Sequence, residues 1–106
     1  MDVEQEQANK IAVLNDKFRR SGFGVTVTPG VQALEDLIWL FDEIRRFNSF
    51  TEDNDPYGEH DFGTVYWLGE KVFWKIDYYD QALKYGEDPL SLKCRRVLTV
   101  MLASEY

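Results

Sequence analysis

The sequence predicts an α+β domain: a small three-stranded, mostly antiparallel sheet with a central hairpin, packed by three α-helices. Two observations lead to it. Apolar residues recur at three- and four-residue spacing in long segments free of internal proline. Two alternating segments, joined by a two-residue turn, read as a hairpin. The 106 residues, 44% of them hydrophobic and including 3 Trp, 6 Tyr and 7 Phe, suffice for one core, so a single domain over 1–106 is expected.

The first helix is expected from Val3 to Arg20, with Ala8, Ile11, Ala12 or Leu14, and Phe18 inward. Lys17, Arg19 and Arg20 sit at its carboxyl end, where cations complement the helix dipole. Ser21-Gly22-Phe23-Gly24 breaks the pattern. The β-branched run Val25–Thr28 is expected to form a strand beside one of the hairpin strands. Thr28 and Pro29 then suit a helix start, and a second helix is expected over Val31–Phe47, with Leu34, Leu37, Ile38, Phe41 and Ile44 as its inward stripe.

Asn48–Glu59 reads as a loop, and strands follow at Asp61–Leu68 and Lys71–Tyr78. A turn at Gly69-Glu70 pairs Trp67 with Val72, Val65 with Trp74 and Gly63 with Ile76, which leaves one face wholly apolar. The opposite face carries Phe62, Thr64, Tyr66, Phe73, Lys75 and Asp77. A short helical turn is expected at Asp80–Tyr85 and a third helix over Asp88–Ser104, with Leu90, Cys94, Val97, Leu98 and Met101 inward. The order of elements then gives α+β.

Nineteen Asp and Glu against 12 Lys and Arg give a net charge of −7, which opposes a polyphosphate, so no direct nucleic-acid partner is expected. No apolar run approaches the roughly 20 residues of a membrane helix, and the acidic amino-terminal segment is unlike a signal peptide. The single cysteine, Cys94, excludes an internal disulfide and leads us to expect a cytoplasmic protein.

The densest polar cluster is Thr51–Asp61, with five carboxylates and the only histidine. Aligned as a calcium loop from Asp53, it has Tyr57 at the fifth position and Thr64 where the bidentate glutamate belongs, so the match fails. One histidine and a distant Cys94 do not make a zinc set. No metal and no cofactor are expected. His60 with Glu59 or Asp61 could serve as acid and base, but strand alternation sends those carboxylates to the other side of the ring. The plainer alternative has Asp53, Asn54 and Asp55 shaping turns.

A second cluster lies on the mixed hairpin face, where Tyr66, Phe73, Lys75, Asp77 and Tyr79 form either a recognition surface or a helix-covered core. From Glu35 to Asp61 nine carboxylates face two cations, a negative field suited to a basic protein surface.

Three stretches resemble a family of small uncharacterised bacterial proteins: Phe50–Gly63, Phe73–Asp80 and Arg95–Tyr106. Ile11–Asp16 resembles the amino-terminal segment of that family, which is catalogued as a domain of unknown function and often encoded on plasmids and mobile elements. The resemblance implies no activity, catalytic residue or cofactor. It does imply a setting, because small acidic proteins of mobile elements include inhibitors of host defence such as anti-CRISPR proteins.

The leading expectation is a non-enzymatic binding protein, an anti-CRISPR-like inhibitor among its forms, with a basic protein surface as partner. Its candidate binding residues are Glu52, Asp53, Asp55, Glu59, His60 and Asp61 of the loop and Tyr66, Phe73, Lys75, Asp77 and Tyr79 of the hairpin. No residue is assigned a catalytic role. The alternatives are a small hydrolase using His60 and its flanking carboxylates, and a homo-oligomeric accessory protein, for instance a homodimer.

Overall fold

The computed structural model describes residues 2–22 and 24–106. Met1, and Phe23 in the break after the first helix, lie outside the described residues. Helix α1 spans Val3–Ser21. Asp2 caps it by accepting the Gln5 N–H at 2.7 Å, and Gly22, left-handed at φ 75°, ends it. Its buried stripe is Ile11, Ala12, Asn15 and Arg19, half of it polar, whereas Leu14 is exposed.

Strand β1 (Val25–Val27) leads into α2 (Pro29–Gln32) and α3 (Leu37–Arg45). The single helix expected over Val31–Phe47 is therefore two, parted where Asp36 turns left-handed at φ 59°. The break rotates the face that packs inward: Leu40 is fully buried, while Ile38 of the expected stripe is 77% exposed. Thr28 occupies the cap position of α2 without capping it. Its hydroxyl donates instead to Glu105 Oε1 at 2.6 Å, and Glu105 Oε2 accepts the Gly30 N–H at 3.0 Å.

Strands β2 (Phe62–Trp67), β3 (Glu70–Tyr79) and β4 (Arg95–Leu102) complete a four-stranded mixed sheet of order β1-β4-β3-β2. The fold is α+β with three helices, but its sheet has one strand more than expected. That strand is β4, which replaces the helix expected over Asp88–Ser104. The spacing of Cys94, Val97, Leu98 and Met101 fits a helix by coincidence. Leu98 and Val100 are buried as alternate residues of a strand, and β3 presents eight residues for β4 to pair with, from Val72↔Leu102 to Tyr79↔Arg95. Strand β1 pairs with β4, in parallel, and not with the hairpin. Asp80–Tyr85 is a tight loop closed by Asp80 N–H to Tyr85 O at 2.8 Å, not a helical turn.

The hairpin turn lies at Leu68-Gly69, both with positive φ (51° and 84°), the primed geometry that matches the twist of paired strands. Val65 therefore pairs with Val72, and Gly63 with Trp74, two residues away from the expected register. A two-residue slip keeps each side chain on its face, so the predicted division into apolar and mixed faces survives. Val65, Val72, Trp74, Ile76, Leu98 and Val100 form the core with Val31, Leu40 and Ile44 from the helices. All three helices pack on this apolar face.

Candidate functional site

Between the first half of α1 and residues 50–60 runs an open groove of about 900 Å³. Its lining includes Asp2, Glu4, Glu52, Asp55 and Glu59, with Ala8, Ile11, Phe50 and Tyr57 as its apolar part and, among the described residues, no Lys or Arg. His60 stands in its wall. The ring stacks on Phe50 at 3.8 Å between centroids, and Nδ1 lies 3.0 Å from Asp16 Oδ1. The Nε2 atom is 3.7 Å from Asp55 Oδ2. The carboxylates that hold His60 are thus Asp16 and Asp55, not Glu59 and Asp61.

Asp16 in turn binds Arg19 at 3.1 Å. The Arg19 side chain is fully buried, so it is a core residue and not the helix-end charge its position suggests. Its guanidinium donates to the carbonyls of Ile44 (3.0 Å) and Phe47 (2.8 Å) and lies 4.9 Å from the Trp74 ring centroid. Burial holds its pKa below the ordinary arginine value, and the hydrogen bond and charge of Asp16 oppose that shift. Asn15, one turn earlier and equally buried, donates to Glu59 O at 3.0 Å and to the Tyr78 hydroxyl at 2.8 Å. It accepts from Arg96 Nε at 2.7 Å. These bonds fasten the acidic loop to α1, β3 and β4.

The candidate loop residues divide by role. Glu52 and Glu59 line the groove, whereas exposed Asp53 lies outside its lining. The Asp55 side chain is 7% exposed and accepts the His60 N–H, so it shapes the loop. Asp61 lies behind, with its carboxylate 3.5 Å from the Tyr78 hydroxyl.

Burial, then the charges of Asp61 and Asp55, push the Glu59 carboxyl above its ordinary range. Burial raises Asp61 too, with Asp55 and Asp77 adding and its own backbone and Tyr78 opposing. An acid whose folded pKa is raised holds its proton longer in the native state, so stability falls as pH rises through the interval between the unfolded and folded values. Asp61→Asn is therefore expected to raise the unfolding free energy at neutral pH. It should change nothing in acid below the ordinary carboxylate range. Urea titrations at the two pH values check both statements.

The hairpin candidates lie on the opposite side of the sheet, so the two predicted clusters are separate surfaces. Among the described residues no α-helix packs on the mixed face, and the Tyr106 ring covers part of it. Phe73 packs with Phe62 at 5.1 Å and with Tyr106 at 5.7 Å between centroids. Lys75 and Asp77 pair at 2.8 Å, and that bond raises the lysine pKa. Tyr66 is 73% exposed, and half-buried Tyr79 pairs with Arg95 across the strands. The residues missed from sequence are Asn15, Asp16 and Arg19. Their signal was the interruption of an apolar helical stripe by polar side chains.

Among the described residues no group of three His, Cys, Asp or Glu is placed to hold a metal ion, and no helix is long and apolar enough to cross a membrane. Fold and groove together define a small α+β protein with its helices on one face of a mixed sheet and an acidic groove beside the first helix. The chain belongs to the family described as Protein of unknown function (DUF3768), whose model matches residues 27–105. Helix α1, which supplies Asn15, Asp16, Arg19 and one wall of the groove, precedes the matched segment. No curated protein and no solved structure matches the chain.

Proposed function

We propose that this chain is a non-enzymatic binding protein that takes a basic segment of a protein partner into the groove between α1 and residues 50–60. The observation that carries this reading is the lining, which among the described residues has five carboxylates, no Lys or Arg, and an apolar part. Glu59, which lines the groove and is already raised by burial and by the charges of Asp61 and Asp55, would be relieved by a cation, and groups perturbed in this way mark candidate sites. The finer form is a mobile-element-encoded inhibitor of a bacterial defence complex, seated on a basic channel that otherwise holds nucleic acid. Its support is the net charge of −7 and an analogy of setting.

Calorimetric titration with an oligoarginine peptide tests the groove. Affinity is expected to fall with added salt, and to drop about tenfold in the Glu4→Lys, Glu52→Lys double variant, roughly 0.7 kcal/mol per screened contact. Glu35→Lys with Glu43→Lys changes the net charge equally outside the groove and should cost much less. Equal losses in the two variants would move the site elsewhere.

A second reading, a small hydrolase, draws on one observation: His60 lines a concavity with the Asp16 carboxylate 3.0 Å from Nδ1. Against it, Asp55 flanks the other ring nitrogen and Phe50 covers a ring face, which is the setting of a clamp. His60→Asn keeps a donor toward Asp16. A hydrolase loses its biological effect with that change, and a binding protein keeps it.

A further inference from the structure

Strand β2 is the last in the sheet order, paired only with β3. The Ile76 N–H donates to the Asp61 carbonyl at 2.8 Å, which sets the alternation. Asp61, Gly63, Val65 and Trp67 turn their backbone toward β3, and Phe62, Thr64 and Tyr66 turn theirs outward. Among the described residues no hydrogen bond meets those outward groups. The strand also lacks the usual guards of an edge. Its six residues, Phe62–Trp67, include no charge and no proline, and its register is unbroken by a bulge. Such an edge is a template for another strand.

We infer that two copies of this chain join edge to edge through β2, antiparallel about a two-fold axis at Thr64. This register is the one that engages every outward N–H and C=O of both strands. It sets Thr64 opposite Thr64, and Phe62 of one copy opposite Tyr66 of the other. Threonine pairs and aromatic pairs are among the favourable cross-strand combinations, and no like charges meet. The contact is isologous and closes on itself. It doubles the four-stranded sheet to eight strands with both helical layers on one side. The other side then carries a continuous strip of Phe73, Phe62 and Tyr66. The acidic groove lies on the helical side, so this inference stands or falls apart from the binding reading.

Sedimentation equilibrium from micromolar to millimolar concentration reads the outcome. The wild-type chain is expected to be a dimer in equilibrium with monomer. Thr64→Pro removes only an outward N–H and follows a glycine, so the hairpin is kept; it should leave monomer alone, with the unfolding transition retained. Thr64→Lys, which puts a charge on the edge, should do the same without any backbone constraint. In a Cys94→Ser background, Thr64→Cys should oxidise to a single cross-linked dimer, because Cα atoms of a hydrogen-bonded antiparallel pair lie about 5.5 Å apart, within disulfide reach. A wild-type chain that stays monomeric throughout overturns the inference, and so does a dimer that survives both Thr64→Pro and Thr64→Lys.

Discussion

Replacing Arg19 by alanine is expected to lower the unfolding free energy by about 4 kcal/mol, a large part of the roughly 5–15 kcal/mol available to a small domain. The guanidinium is fully buried and shares its donors among Ile44 O, Phe47 O and Asp16, with Trp74 and Phe50 against its plane. Truncation takes a donor from each of the Ile44 and Phe47 carbonyls, leaving Ile44 O its backbone bond from Phe47 N–H. It also opens a void beside the indole, and each loss carries its own penalty. Arg19→Met fills most of the void and should recover part of the loss. Arg19→Lys keeps the charge but not the planar fork, and should recover little. Arg20→Ala, one residue on and exposed, should stay within about 0.5 kcal/mol. Urea unfolding of the four variants measures the series, and a small effect at Arg19 would mean that the desolvation of the cation cancels its bonds.

Gly63→Ala is the second large effect, expected at about 3 kcal/mol of destabilisation. The Trp74 indole lies directly over Gly63, and a Cβ there would run into its Nε1 side. The indole has nowhere to retreat. It is fully buried, with Phe47 and Phe50 against its edges and Arg19 on its face. Its Nε1 already lacks a hydrogen-bond partner among the described residues. Trp74→Phe in the Gly63→Ala background makes room, so the double variant should be less destabilised than the sum of the singles by more than about 1 kcal/mol. Simple additivity would show that the clash is absorbed elsewhere.

The parts of the fold legible from sequence were those with a single dominant period. Helix α1 and the two hairpin strands are such parts, and the hairpin faces were right even though the turn was misplaced, because a slip of two residues preserves alternation. Where two periods compete, tertiary pairing decides. Val97, Leu98, Val100 and Met101 satisfy both a helix and a strand, and only the vacant edge of β3 selects the strand. Asp36 offers no glycine or proline to announce the break before α3. At the candidate site, the acidic loop was plain from composition, but its anchor was not. Asp16 lies 44 residues from His60, and Arg19 resembles any basic residue at a helix end until its partners are known.

The sheet order carries a consequence for biosynthesis. The strand that sits between β1 and β3 follows both of them in the chain, so a nascent chain that has emerged only as far as residue 94 holds an orphaned β1 and a hairpin with one side bare. Cooperative folding must wait for residues 95–102, and until then the apolar flank of β3 is open to chaperones or to other ribosome products.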